Sequence, residues 1–286
     1  MNKRILVLGG SGMLGHTLVN ILEMDSSLDV YNLVRGIKIN GKSIKCDVLE
    51  IRELKNNIDD LNPDFIINCI GILREESDQN FDKAIYINSF LPQWLLNYCS
   101  KTNIKFFHIS TDCVFDGLEG GYKEKSIPNA KDKYGKTKSL GEFDSKKHLC
   151  IRTSIIGPEL KENGKGLLHW LFNQKGEILG YNNVYWSGVT TVELSKAILF
   201  SIKNNITGLW NFTNNKKISK YELLNMLIIE FNLSHLSLNK DFKNVTDKSL
   251  ISERKINYEI PPYNIMINQL KEYIEEYNST YKYQLG

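Results

Sequence analysis

Gly9-Gly10-Ser11-Gly12-Met13-Leu14-Gly15 follows the apolar run Ile5–Leu8 and opens an amphipathic stretch, Met13–Met24. A strand, a glycine-rich turn and a helix in that order begin a βαβ unit. The glycines permit a tight turn and a close approach of backbone to a pyrophosphate, and the helix start aims free N–H groups at the phosphates. Gly9, Gly12, Met13, Leu14 and Gly15 are therefore candidate cofactor-binding residues. Such turns also serve packing alone, so a second signal is needed. Tyr134-Gly135-Lys136-Thr137-Lys138 supplies it. A phenol and an ammonium four residues apart share one helix face, one turn apart. In this order within one chain, the two segments suggest a nicotinamide enzyme with a tyrosine acid.

Working outward, Asp29–Val34, Ser43–Lys45, Phe65–Cys69, Ile104–Ile109 and Leu149–Thr153 read as strands. Leu49–Ile58, Phe81–Ser100 and Tyr134–Ser145 read as helices, with Pro92 expected to disturb the long one. The alternation predicts an α/β fold, a Rossmann-type doubly wound parallel sheet with helices on both faces. The polar loop Asp116–Asp132 is long enough to suggest function at the carboxyl edge of the sheet. Beyond Ser154 the rhythm changes. Thr190–Glu193 and Ser219–Glu222 each resemble a capping box, Gly208–Thr213 a short strand, and Tyr263–Tyr277 contains a final helix. The expected organisation is an NAD(P)-binding domain over residues 1–153 and a smaller α/β substrate lobe over 154–286. The two are intergrown, with the helix near 190–203 packing back on the first and a cleft between.

Composition sets the outer limits. The chain has 286 residues, is 42% hydrophobic and 24% charged, and carries a net charge of +3 with acids and bases interleaved. No basic stripe argues for nucleic acid, and no apolar run reaches membrane-span length. Cys46, Cys69, Cys99, Cys113 and Cys150 are odd in number and dispersed, which argues against a disulfide framework and fits reduced thiols in a cytoplasmic protein. The five histidines show no metal-binding pair, and no metal is expected. His108, in an apolar stretch, reads as a satisfied core histidine.

The chemistry is read residue by residue. NAD sites place a carboxylate at the end of the second strand, and NADP sites a cation for the 2′-phosphate. Here that strand ends Val34-Arg35-Gly36, which favours NADPH through Arg35, with NADH as the alternative; a plain surface arginine is the competing reading. Asp47, with Val48 beside it, falls where a third strand would deliver an acceptor toward adenine, or where a helix would take a cap. Tyr134 is the candidate acid, its pKa lowered by the Lys138 ammonium. A hydroxyl from Ser110-Thr111-Asp112 would polarise the same carbonyl oxygen, unless these residues serve only a turn. A nucleophilic Cys113 is the alternative for this segment, without a histidine placed to activate it. Tyr181, Tyr185 and Trp186 form an aromatic cluster in an expected cleft loop, suited to stacking on a base or sugar, or to core.

At these residues the chain resembles the extended short-chain dehydrogenases/reductases, and within them the dTDP-4-dehydrorhamnose reductase family. The resemblance spans Gly9–Gly15, Asn68-Cys69-Ile70-Gly71, Ile87-Asn88, Ser110-Thr111-Asp112-Cys113-Val114-Phe115-Asp116-Gly117, Tyr134–Lys138 with Glu142, and Arg152-Thr153-Ser154. It implies reduction of the 4-keto group of a nucleotide-linked 6-deoxy sugar for surface polysaccharide synthesis, with Thr111, Tyr134 and Lys138 as the catalytic triad. It also implies that Gly12, Met13 and Leu14 face the pyrophosphate, that Cys69, Ile70 and Gly71 line the nicotinamide ribose, and that Cys113 and Ile155 lie near the sugar. With Thr111, Asp112 and Trp186, those two complete the expected substrate residues. The family usually has Tyr in place of Cys113, Trp in place of Ile155 and a run of small residues in place of Cys69-Ile70-Gly71. The variant segments look similar to a branch acting on UDP-linked 2-acetamido-2,6-dideoxy-4-keto sugars. The fold also includes the regulatory β subunit of methionine adenosyltransferase, which binds nucleotide and a partner enzyme, and sugar-nucleotide epimerases and dehydratases. A homodimer is left open.

Overall fold

The computed structural model describes residues 2–36, 38–281 and 283. Its strands are β1 (Lys3–Leu8), β2 (Leu28–Val34), β3 (Ser43–Lys45), β4 (Phe65–Asn68), β5 (Lys105–Thr111), β6 (Leu149–Thr153), β7 (Ile155–Ile156), β8 (Gly176–Trp186), β9 (Val189–Thr190), β10 (Gly208–Asn211), β11 (Ile218–Ser219) and β12 (Leu236–Asp247). Its α-helices are α1 (Met13–Glu23), α2 (Ile51–Leu61), α3 (Arg74–Gln79), α4 (Phe81–Ile85), α5 (Leu91–Ser100), α6 (Lys133–Leu140), α7 (Leu167–Phe172), α8 (Thr191–Asn204), α9 (Lys220–Glu230) and α10 (Tyr263–Glu276).

Seven strands form one parallel sheet in the order β10-β6-β5-β4-β1-β2-β3. Strand β1 lies inside it and is apolar at every position from Ile5 to Leu8 because both faces are covered. Ile5 and Val7 join the core beneath α1, α8 and α10, while Leu6 and Leu8 join the core beneath α2 and α5. After β1 the chain builds outward through β2 and β3, then returns to place β4 on the other side. That reversal between β1 and β4 opens a crevice at the carboxyl ends of the strands. The chain comes back to this sheet late: α8 packs on α1, and β10 adds the outermost strand beside β6.

Several local features differ from the sequence expectation. The long helix is divided: the π-helical segment Tyr86–Phe90 separates α4 from α5, next to Pro92. Helix α6 stops at Leu140 and does not continue to Ser145, because Gly141 turns the chain. Helix α3 was not anticipated; its sequence Arg-Glu-Glu-Ser-Asp-Gln has no apolar period. Tyr181, Tyr185 and Trp186 stand on the strand β8, not in a cleft loop; β8 pairs in parallel with β12 and antiparallel with β11. The box at Ser219–Glu222 is complete, but that at Thr190–Glu193 is half formed. Glu193 instead accepts a hydrogen bond from the Tyr258 hydroxyl at 2.7 Å. Buried His108 is only partly satisfied: Nδ1 meets Asn68 at 3.2 Å, while Nε2 has no hydrogen-bond partner among the described residues.

A buried ion pair ties β5, β6 and β10 together. Arg152, 1% exposed, donates to Glu142 through Nε at 2.8 Å and a terminal nitrogen at 2.7 Å. Glu142 also accepts from the Ser110 hydroxyl at 2.6 Å, and Asn211 takes a second guanidinium nitrogen at 3.4 Å. The guanidinium lies 5.0 Å from the Phe115 ring, which stacks on Tyr122. Removing one member of such a pair leaves an uncompensated buried charge, which costs about 3–5 kcal/mol. Glu142→Ala is therefore expected to lose stability in that range by urea denaturation. A loss below about 1 kcal/mol, typical of a surface ion pair, would contradict this account.

Candidate functional site

The crevice holds a cavity of ≈ 940 Å³ built from the segments just beyond four strand ends. Gly9, Ser11 and Gly12 follow β1, Arg35 and Gly36 follow β2, Cys46–Leu49 follow β3, and Cys69–Ile72 follow β4. Helix α1 starts at its rim with Gly12 as N-cap, a residue with no side chain to bond the first-turn N–H groups. Gly15 lets the turn and the helix touch, since a Cβ there would collide with the Gly9 carbonyl oxygen. A glycine turn, uncapped helix N–H groups and a crevice at the strand-order reversal fit a dinucleotide.

Of the expected cofactor residues, Gly9, Gly12, Arg35, Asp47, Val48, Cys69, Ile70 and Gly71 line this cavity. Met13, Leu14 and Gly15 stand behind its wall, Leu14 within the core. Arg35 is exposed at the mouth. Asp47 lines the cavity and accepts from the Leu49 N–H at 3.1 Å, but it is not the helix cap: Glu50 stands at the N-cap of α2 and makes no side-chain cap bond. Sequence reasoning missed Ser11, Leu33, Ile39, Glu76, Lys83, Ile87 and residues 160–163, which also line it. Glu76 pairs with Lys83 at 2.8 Å. Nothing in the charged sequence around these two shows that they face a cavity.

The second half of the site forms where β5 ends. Thr111 closes the strand and accepts from the Cys113 N–H at 3.1 Å, starting the 3₁₀ turn Asp112–Val114. Helix α6 is set against this turn. Asp132 caps it by accepting from the Gly135 N–H at 2.8 Å, and Gly135 lies so near the Cys113 carbonyl that a Cβ would overlap it. Tyr134, next to Gly135, is thereby brought to this turn, near enough to Thr111 for that hydroxyl to influence its phenol. Lys138, one turn on, is 4% exposed and donates to the Ile109 carbonyl at 2.8 Å, behind Gly71.

The electrostatics differ from expectation. Burial raises the Tyr134 pKa above the ordinary tyrosine range, Cys113 and Asp112 raise it further, and Thr111 and Arg74 oppose the rise. Burial likewise lowers Lys138 to about 8. Asp112 is raised by burial, partly offset by Lys220 and Lys248. The Cys113 thiol is pushed up to about 12 by burial and by Asp112, which makes a thiolate nucleophile unfavourable.

None of the five expected substrate residues lines the cavity: Thr111, Asp112 and Cys113 form the turn just described, and Ile155 and Trp186 lie on β7 and β8. Ile155 is half-buried in β7, paired with Val189 of β9. Trp186 is 2% exposed and donates its indole N–H to the Ser154 hydroxyl at 2.9 Å.

A family model described as RmlD substrate binding domain matches residues 3–252. The chain belongs to this family. Among its relatives, dTDP-4-dehydrorhamnose reductase of Aggregatibacter actinomycetemcomitans is 28% identical over 77% of this chain and 76% of its own length. Methionine adenosyltransferase 2 subunit beta of Bos taurus is 24% identical over 89% of this chain and 78% of its own. The crystal structure of dTDP-4-dehydrorhamnose reductase from Bacillus anthracis, in complex with NADP, superposes with a TM-score of 0.81 at 18% identity, covering 95% of this chain and 99% of that one. At that identity the superposition speaks for the shared fold.

Proposed function

We propose that this chain reduces the 4-keto group of a nucleotide-linked 4-keto-6-deoxy sugar, with NADPH as cofactor and NADH as the alternative. The observation that carries the reading is the convergence of Thr111, Tyr134 and Lys138 beside the crevice at the strand-order reversal. The family, the reductase relative and the related structure in complex with NADP support it.

The bound nicotinamide would supply a hydride to the carbonyl carbon. Tyr134 gives its phenolic proton to the carbonyl oxygen as that carbon is reduced. Because burial raises its pKa, the phenol keeps its proton at neutral pH, the state a general acid needs in the reducing direction. Thr111, near Tyr134, polarises the same oxygen. Lys138, fixed by the Ile109 carbonyl beside Gly71, is placed to hold ribose hydroxyls. Its charge is present below about pH 8 and is lost above it, so its support for the developing phenolate fades at alkaline pH.

For the sugar we favour a UDP-linked 2-acetamido-2,6-dideoxy-hexos-4-ulose over dTDP-4-dehydrorhamnose. Cys113 and Ile155 stand where ordinary members carry Tyr and Trp, and Ile in place of Trp removes a flat wall and an N–H donor. Packing differences of this kind discriminate by about 1–3 kcal/mol, which gives preference and not exclusivity. The test is NADPH oxidation with UDP- and dTDP-linked 4-keto-6-deoxy sugars, products being assigned by NMR. A higher kcat/KM is expected for the UDP acetamido sugar, and a clear advantage for the dTDP sugar would refute that preference. No turnover with any of them, alongside nucleotide binding, would favour a regulatory role like that of the methionine adenosyltransferase subunit.

Tyr134→Phe is expected to fold and bind NADPH but to lose on the order of a hundredfold or more in turnover. Rates near wild type would remove the assigned acid.

A guanidinium on a 2′-phosphate is worth roughly 1.5–3 kcal/mol. Arg35→Ala should therefore raise KM for NADPH about tenfold or more while leaving NADH little changed. An equal effect on both cofactors would make Arg35 a surface residue only.

A further inference from the structure

The turn Asp112–Cys113 is influenced by two lysines used neither by the strand-end cavity nor by Thr111, Tyr134 and Lys138. Lys220 is the first residue of α9. The Ser219 hydroxyl accepts from the Glu222 N–H at 3.1 Å, and the Glu222 carboxylate accepts from the Ser219 N–H at 2.7 Å, which fixes where that helix begins. Pairing of Ile218 with Trp186 carries the helix start over the indole, so that Lys220 Nζ lies 5.3 Å from the ring centroid. The indole is itself held by Ser154. Ser154 follows Thr153, which pairs with Thr111 across β6 and β5, so the next residue beyond the end of β5 is Asp112; it is 7% exposed and accepts from the Thr111 hydroxyl at 3.1 Å. Lys220 and Asp112 act on each other's charge, yet among the described residues no direct ion pair joins them. Lys248 reaches the same turn from beyond β12, its stem packed beside Gly117.

The position of Lys220 carries two costs, set against the modest gain of its contact with the Trp186 ring. A helix N-terminus carries the positive end of the macrodipole, where a cation is unfavourable. Burial adds a second cost and lowers the ammonium pKa. A side chain that is costly on both counts, acting on the Asp112–Cys113 turn that follows Thr111, has the character of a functional group.

We infer that Lys220 is a specificity-determining residue: its ammonium and the Asp112 carboxylate together grip the hexose, the first donating to an acceptor oxygen and the second accepting from a hydroxyl. This rests on the keto-sugar reading above. A hydroxyl offers both a donor and an acceptor, and an acetamido carbonyl is a strong acceptor, so an ammonium and a carboxylate held apart suit a sugar better than either alone.

The test is Lys220→Met, with Lys220→Arg as the conservative variant and Lys220→Gln should the methionine variant fail to fold. The expected result is a rise of about tenfold or more in KM for the keto sugar, partly recovered by arginine. KM for NADPH should stay near wild type, and Tm should be equal or higher. An unchanged keto-sugar KM, or a parallel rise in KM for NADPH, overturns the inference and leaves the reductase reading intact. If the wild-type protein turns over no keto sugar, the reductase reading falls by itself. Calorimetric titration with UDP-N-acetylglucosamine then decides the inference separately. Weaker binding by the variant than by wild type supports it, and equal binding or none overturns it.

Discussion

The close approach of α6 to its neighbours is the constraint on which the site depends. Positions 135, 138 and 141 recur every three residues and so share one face. Gly135 lies against the Cys113 carbonyl, Lys138 bonds the Ile109 carbonyl, and Gly141 lies against the Asn88 carbonyl. The helix is short and has a glycine in its first turn, at a cost of roughly 1 kcal/mol relative to alanine. Local propensity therefore does not hold it in place; the Asp132 cap and these contacts do. A larger side chain at 135 would lift the face that orders Tyr134 relative to Thr111. Displacements of about 1 Å in such geometry are enough to cost about a hundredfold in rate.

The second support comes from an irregularity in the neighbouring helix. Pro92 has no N–H to give to the Asn88 carbonyl one turn back, and the chain widens so that the Leu91 N–H reaches the Tyr86 carbonyl. The widened turn turns two side chains to account. Asn88 accepts from the Ile72 N–H at 2.9 Å and donates to the Ile72 carbonyl at 3.0 Å and the Thr137 hydroxyl at 3.1 Å. Ser89 donates to the Thr137 carbonyl at 2.7 Å. One departure from regular helix thus connects the cavity wall after β4 to the helix bearing Tyr134 and Lys138.

What the sequence made legible follows from these physical causes. The strands of the parallel sheet announced themselves because burial on both faces demands continuous apolar runs such as Ile5–Leu8 and Phe65–Ile67. The glycine turn and the Tyr134–Lys138 pair were legible because their spacing is set by backbone geometry. Strands β8 and β12 were not, since much of their length is exposed and β12, Leu-Ser-Leu-Asn-Lys-Asp-Phe-Lys, has mixed polarity. Trp186 looked like a ligand platform because an aromatic residue near a polar stretch reads alike whether it faces solvent or core. The raised Tyr134 pKa was illegible for a different reason. Spacing shows that Lys138 shares a helix face with the phenol, but not that Ile109 takes its ammonium and that burial dominates.

Charge shows the same limit of averages. A net charge of +3 gives no sign of an anionic or polar ligand. In three dimensions, Arg35 and Lys83 line the cavity, Arg74 acts on Tyr134 and Cys113, and Lys220 and Lys248 act on Asp112. The balancing acids are partly spent elsewhere: Asp29 pairs with Lys42, Asp25 with Lys203 and Asp247 with Lys217. Within the site, Glu76 and Asp132 hold Lys83 and Arg74 in place. Cations gathered along a low-dielectric cleft act far more strongly than the same charges spread over a wet surface. Their convergence is a product of topology, since α3, α9 and the segment after β12 are remote in sequence and meet only where β5 ends.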